Sequence, residues 1–407
     1  MNTLVEFLKG CIRQITTGGR AYWLWVGGLL VIVAAGATAY SAQFRQGLIA
    51  TNMRDQVSWA FYVGNFTFLV GVAAAAVLLV IPAYVYHWKP LKEVVLLGEL
   101  LAISALAMCL LFITVDVGRP DRMLHMVPFI GTPNWPSSLL AWDALVLNIY
   151  LTLNLVVVGY ILFKAYRGEP TSNRILVPLV LASIPVAIST HTVTAFLYNG
   201  MASRPYWNAS ILAPRFIASA FCSGPAVMLI LFQILRRTVK LPIKDEAIWK
   251  VAELMAYAMF LNLFLLGAEV FKEFYSATEH TLYTRYLWFG IGEHRALVPY
   301  AWLSLACSVI AFVLFLVPRT RTNFITLNIG CVLIWAGVYI EKGMGLVIPG
   351  MTPDTLGEIY EYRPTLNEWC IAAGIFGVGF LVFTFLVKIA VPIFYGTFRA
   401  PKPVSSL

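Results

Sequence analysis

Ten apolar runs, each long enough to cross a lipid bilayer, follow one another through this 407-residue chain. They fall at about 22–44, 59–86, 93–115, 138–163, 175–199, 216–236, 251–272, 298–317, 323–341 and 369–392. A crossing takes roughly 20 residues of helix. Hydrocarbon offers no partner to a bare peptide group, so each run must satisfy its own backbone as a helix. The expected fold class is therefore all-α, a polytopic membrane protein with about ten transmembrane helices. Composition agrees: 60% of residues are hydrophobic and only 12% charged, and mean hydropathy is +0.78. Those values exclude a water-soluble globular domain. The chain divides into an amphipathic surface helix at 1–20, a transmembrane domain at 21–395 and a cytoplasmic tail at 396–407.

Charge placement sets the expected orientation. With the N-terminus inside, 18 of the 29 Lys and Arg fall on inner segments and 11 on outer ones. The positive-inside rule then puts both termini in the cytoplasm. The net charge of +9 is a topology signal and calls for no nucleic-acid partner. In the first 20 residues Leu4, Phe7, Leu8, Cys11, Ile12 and Ile15 share one face, opposite Glu6, Lys9 and Arg13. Such a helix suits the inner membrane surface better than a cleaved signal peptide. The six cysteines are scattered, with no CxxC, so an iron–sulfur cluster in this chain is not expected.

The four longest connections, at 116–137, 198–215, 272–297 and 342–368, all fall on the outer side of this topology. Polar residues gather at the span ends beside them. Asp116 and Arg119 are three apart and are expected to meet over one helical turn. Asp143 lies one turn into the fourth span. His191 is the one histidine of five inside a span. Arg204, Trp207 and Arg215 surround the turn into the sixth span, Glu269 sits near the end of the seventh, and Glu341–Lys342 end the ninth. Ionisable groups at such depth usually face a cavity, a partner or a substrate path. Acid, base and imidazole at one level suit proton-coupled redox chemistry on a quinone, whose two carbonyls need donors and proton acceptors. Each residue also has a plainer role: a snorkelling cation, an interhelical hydrogen bond, or a structural ion pair in the case of Asp116–Arg119. The outer aromatics (Trp135, Trp142, Tyr206, Trp207, Trp288) read first as an interfacial belt.

Glu99 and Glu253 lie deeper on the inner side, with Asn148 and Asn262 nearer the middle. Glu253 and Tyr257 share a face, as do Asn262 and Glu269. Together they sketch a proton path from the inner water. A transmembrane haem b needs two axial ligands on neighbouring helices, and one intramembrane histidine does not supply them. Walker, Rossmann-type, HExxH and GxSxG signatures in suitable context are absent.

Several segments resemble the NrfD/PsrC family, the polysulfide-reductase-type membrane subunits of respiratory oxidoreductases. They are VDVGRPDR at 115–122, SSLLAWDALVLNIY at 137–150, STHTVTAF at 189–196, RPYWNASILAPRFIASAFCSGPA at 204–226 and YIEKGMGLVIPGMTPDTLGEIYEYRPTLNEW at 339–369. Single pieces are weak; their order along the chain is specific. The ten-span form is most similar to the branch from sulfate-reducing bacteria, the menaquinone reductase (Qrc) type first, then the Hmc and Dsr types.

The resemblance implies two four-helix bundles plus extra helices in a bacterial inner membrane. It implies menaquinone as substrate near the periplasmic face, with no haem or iron–sulfur cluster in this chain. The implied partners are a periplasmic iron–sulfur subunit, a multihaem cytochrome c subunit and a molybdopterin-oxidoreductase-like subunit. His191, Asp116 and Glu269 take the proton-handling positions; Arg119, Arg204, Arg215, Trp207 and Asp143 take quinone- or partner-holding ones. A secondary transporter or proton channel using the same acids is the alternative, and a plain membrane anchor a third.

Overall fold

The computed structural model describes residues 2–86, 88, 91, 94–127 and 129–400. His87, Lys89 and Lys92, and residues 401–407 of the expected tail with Lys402, lie outside the described residues.

The helices are α1 (Asn2–Thr16), α2 (Arg20–Gln46), α3 (Phe61–Ala74), α4 (Val95–Asp116), α5 (Leu139–Tyr166), α6 (Asn173–Asn199), α7 (Leu212–Thr238), α8 (Asp245–Ser276), α9 (His280–Trp288), α10 (Val298–Leu316), α11 (Phe324–Lys342), α12 (Met344–Met351) and α13 (Leu366–Phe394). After Ala74 the second crossing runs on through Ala76–Val80 and a π turn at Ile81–Val85. Among the described residues no strand forms, and ten helices are long and apolar enough to cross a membrane. All ten expected crossings are present; α7 and α8 extend several residues beyond the apolar runs that announced them.

Packing arranges the crossings as the resemblance implied. Helices α3, α4, α5 and α6 pack as one bundle, and α7, α8, α10 and α11 as a second. The seam between them is α3 and α6 against α7, with α11 touching α3. Across it Tyr339 donates to Asn65 Oδ1 at 2.8 Å. The outlying pair α2 and α13 packs together and lies on α4. There Gly36 and Gly374 face each other so closely that a Cβ on Gly36 would lie 2.6 Å from the Gly374 Cα. Lipid-facing helices gain nothing from burial against one another, so close backbone approach is what holds such a pair.

Successive crossings alternate in direction, so the connections at 47–60, 117–138, 200–211, 277–297 and 343–365 share one face of the molecule. This long-loop face is tied together by Glu368. Thr365 caps α13 and forms a capping box with Glu368, as the T-x-x-E spacing dictates. The Glu368 carboxylate also accepts from the Asn52 amide at 3.1 Å and from the Tyr362 hydroxyl. On the opposite face α1 forms as expected, but its apolar side splits. Phe7 and Cys11 are buried, with Phe7 stacked among Phe163, Tyr166 and Phe398. Leu4, Leu8 and Ile12 stay exposed.

Candidate functional site

In the first bundle, α6 turns a polar stripe inward. Thr190, His191, Thr194 and Tyr198 recur at helical spacing, and all four are buried. Thr194 donates to Asp143 Oδ1 at 2.6 Å, and the Tyr198 hydroxyl pairs with Thr67 of α3. His191 is 2% exposed, and neither ring nitrogen has a hydrogen-bond partner among the described residues.

The second bundle gathers the ionic groups. Arg215, in the first turn of α7, reaches two carboxylates from different helices. Its Nη2 lies 2.6 Å from Glu341 Oε1 of α11, and its Nη1 pairs with Glu269 of α8. Asn262, two turns before Glu269 on the same stripe, donates to the other Glu341 oxygen at 3.4 Å. Taking a charge out of water costs several kcal/mol unless it is paired and hydrogen-bonded. Here one guanidinium bridges two carboxylates, so each has a cationic partner although the three groups together keep one negative charge.

This network forms one wall of a narrow cleft, in which about 40 Å³ is open to the centre of a water molecule. Tyr206, Glu273, His280 and Trp288 complete its polar and aromatic lining. The Tyr206 hydroxyl donates to the Gly345 carbonyl at 3.3 Å. Burial pushes its pKa up to about 12 against the opposing pull of Arg215, so it remains a neutral phenol. Glu273 is buried; one oxygen takes Lys272 Nζ at 2.7 Å and the other has no hydrogen-bond partner among the described residues.

The cleft shares Leu266, Val270, Trp288 and Leu305 with an adjoining groove that offers about 440 Å³ by the same measure, walled further by Phe271, Phe274, Phe289 and Trp302. Phe271 is 70% exposed on the outside of the bundle. A charged, hydrogen-bonding recess thus continues into an aromatic trough on the membrane-facing surface, a shape that accepts a polar headgroup on a long apolar tail.

Other sequence-derived residues lie elsewhere. Asp116 and Arg119 do not meet. Helix α4 ends at Asp116 with an extended Val117, and the exposed Arg119 pairs with Asp121 at 2.9 Å. That pairing holds the Asp121 carboxyl below its usual range. Arg204 donates to the Met351 carbonyl at 3.1 Å. Trp207 is no belt residue: it is fully buried and donates to the Leu346 carbonyl at 2.9 Å. It lies so close over α12 that a Cβ on Gly350 would fall inside its ring. Glu99 is buried in the first bundle, with one oxygen unpartnered among the described residues. Asn148 and Tyr257 are exposed, and Glu253 pairs with Lys250 at 3.1 Å. These three do not join Glu99 and Asn262 in one internal path. The expected shared face of Glu253 and Tyr257 exists, but it points outward.

Sequence reasoning placed Glu341 and Lys342 in the outer polar cluster without giving either a role, and it missed Glu273. Glu273 carried a usable signal: it stands four residues after Glu269 and eleven after Asn262, on the same helical stripe. Among the described residues no group of three or more His, Cys, Asp or Glu is placed to hold a metal ion.

Comparison with known proteins supplies the lineage. The chain is 26% identical to a protein of Halobacterium salinarum named for the membrane subunit of a dimethyl sulfoxide reductase, over 91% of each chain. It is 24% identical to a selenate reductase subunit of Mesobacillus selenatarsenatis, covering 90% of this chain and 93% of that one. It is 22% identical to the Hdr-like menaquinol oxidoreductase integral membrane subunit of Archaeoglobus fulgidus, covering 89% and 91%. The profile for polysulphide reductase, NrfD, matches residues 50–352, a stretch holding both bundles and the whole cleft: this multi-pass membrane protein belongs to the NrfD polysulphide reductase family.

Proposed function

We propose that this chain is the quinone-reactive membrane subunit of a multisubunit oxidoreductase and that the Arg215 cleft is where the quinone ring sits. The observation that carries the reading is continuity between the ionic recess and the aromatic trough. A quinone has this same division into a hydrogen-bonding ring and an apolar tail. Reduction takes two electrons and two protons, Q + 2e⁻ + 2H⁺ → QH₂. Electrons arrive from, or leave to, a partner's redox groups on the long-loop face. The Arg215 guanidinium and Tyr206 hydroxyl offer donors to the carbonyl oxygens, and Glu269 and Glu273 are the carboxylates near enough to hold or release the protons.

The relative from Archaeoglobus is named for menaquinol, which supports menaquinone here. On this reading the long-loop face is periplasmic and both termini are cytoplasmic. The partners are a periplasmic iron–sulfur subunit, a multihaem cytochrome c and a molybdopterin-oxidoreductase-like subunit, as in Qrc-type complexes. His191, Asp116 and Asp143 serve proton exchange on the first-bundle side, with Glu99 as a further acid toward the cytoplasm. Arg119 and Arg204 lie on the docking face, and α1 rests on the inner membrane surface.

The groove provides the test. Gly267 lines it, and a Cβ there meets nothing within 4 Å, so the side chain of Gly267→Phe starts from open space at the trough. In the purified complex the apparent KM for a long-tailed menaquinol is expected to rise at least about tenfold with little change in kcat, the signature of lost uniform binding. An unaltered KM removes the groove from the path. Absence of electron exchange between menaquinol and the wild-type complex overturns the whole reading and returns the acids to a transporter.

A further inference from the structure

His191 and Lys342 come from different bundles, yet both line one small internal chamber at the seam. Thr67, Gly71, Phe216, Ser219, Ala220 and Ser223 form much of the rest of its wall. His191 is 2% and Lys342 3% exposed. Lys342 Nζ stands 4.3 Å above the Phe216 ring, and neither it nor the imidazole nitrogens have a hydrogen-bond partner among the described residues. An unmet buried donor or acceptor costs about 1–3 kcal/mol, and more for a charged group.

The remaining wall is suited to a water. The Thr67, Ser219 and Ser223 hydroxyls donate to the Val63, Phe216 and Ser219 carbonyls at 2.8, 2.9 and 3.2 Å. The Ser219 and Ser223 oxygen lone pairs therefore remain as acceptors, while Thr67, which also takes the Tyr198 hydroxyl, keeps one at most. About 10 Å³ of the chamber is open to the centre of a water molecule, and one buried water needs roughly 10–15 Å³ by that measure, with two to four polar partners. An ammonium is donor only, and a neutral imidazole offers one donor and one acceptor. A water that accepts from Lys342, donates to the acceptor nitrogen of His191 and donates again to a hydroxyl oxygen satisfies Lys342 and one of the two ring nitrogens together.

We propose that this chamber is a built single-water site joining His191 to Lys342, and that it serves as the proton contact between the two bundles. A proton leaving Lys342 Nζ passes to the water as the water passes one to the imidazole, and the reverse shift restores both. Lys342 directly follows Glu341 of the Arg215 network, so the water sets His191 beside the cleft's ionic groups without placing it in the cleft. The turnover consequence rests on the quinone reading above; the water site itself does not.

Gly71 gives a clean perturbation. A Cβ there would sit 3.6 Å from the Ala220 Cα and 3.7 Å from the Ser223 oxygen, ordinary contacts that claim chamber space without touching His191 or Lys342. In high-resolution cryo-electron maps of the purified complex, one density peak is expected between the His191 ring and Lys342 Nζ, and Gly71→Ala should remove it. Menaquinol turnover of Gly71→Ala should fall at least about a hundredfold, the low end for a lost proton-transfer group, and become more sensitive to D₂O. Ser223→Cys, which fills the chamber from the facing helix, is the second variant should Gly71→Ala not assemble. A wild-type map without the peak overturns the water site. A peak that disappears with turnover unchanged overturns the proton contact. A peak in a complex that exchanges no electrons with menaquinol leaves the water site standing and sinks the quinone reading instead.

Discussion

Removing the Arg215 charge should damage the protein far more than removing either carboxylate it binds, and the asymmetry can be worked from the geometry. Arg215 is 7% exposed at its side chain, Glu341 8% and Glu269 14%. Arg215→Met leaves two carboxylates facing each other across the cleft with no cation between them. Breaking a buried pair by deleting one partner costs about 3–5 kcal/mol, which is roughly a 150- to 4,000-fold shift in the unfolding equilibrium at 1.4 kcal/mol per decade. Glu341→Gln keeps the Arg215–Glu269 pair and loses one charge-assisted bond, about 1.5–3 kcal/mol. The triple variant Arg215→Met, Glu269→Gln, Glu341→Gln buries no charge in the network. It should regain most of the stability while lacking quinone activity. Equilibrium unfolding in mixed detergent micelles reads all three. If Arg215→Met proves milder than Glu341→Gln, or the triple is no better than Arg215→Met, these groups are solvated and the buried network is wrong.

Two further outcomes concern regions away from the cleft. Gly350→Ala should cost about 1–3 kcal/mol, the usual range for overpacking, because its Cβ would lie 1.9 Å from a Trp207 ring carbon; thermal stability should recover in part with Trp207→Phe. Burial under α1 raises the Cys11 thiol from 9.0 to about 11, and the thiolate is the reactive form. Maleimide labelling of Cys11 near pH 8, followed by mass spectrometry, should be roughly a hundredfold slower than for an open thiol and climb with pH toward 11. Phe7→Ala, which undocks α1, should restore ordinary reactivity; fast labelling of the wild type would refute the docking.

The crossings were legible because composition alone forces them: a run of apolar residues in lipid has no alternative to a helix. Facing was not legible. Core and lipid are both apolar, so periodicity says little about which side of α5 or α8 points inward, and Asn148 and Tyr257 turned out to face outward. Partner choice was equally hidden. Arg215 reads as a loop cation beside Pro214, and its burial depends on Glu341, 126 residues later. Asp116 and Arg119 illustrate the reverse case. Their spacing promised a pair only while the helix continued, and an extended Val117 ends it. In α6 the sequence singled out His191 alone; the inward stripe from Thr190 to Tyr198, with the Asp143 partner Thr194, emerges only in the fold.

Glu273 is where the structure most changes the chemistry expected of the cleft. Glu269 is held by Arg215, and a carboxylate so engaged is a poor place to deliver a proton. Glu273 lies one turn further toward the long-loop face on the same stripe. It is 4% exposed, and only one of its oxygens is occupied, by Lys272. Glu273 lines the cleft and its other oxygen has no hydrogen-bond partner among the described residues, so on the quinone reading it is the candidate proton acceptor. Glu273→Gln keeps the shape and removes the base, so kcat for menaquinol oxidation should fall about 10²–10⁴-fold, the usual contribution of a positioned acid–base group, with stability nearly unchanged. Glu269→Gln should do the opposite, lowering stability by the loss of one charge-assisted bond to Arg215, about 1.5–3 kcal/mol, while sparing more of kcat. Measuring both variants for turnover and unfolding in the same preparation separates the roles. A Glu273→Gln complex with full turnover would return the proton-accepting role to Glu269, and Arg215 would then have to release its partner in every cycle.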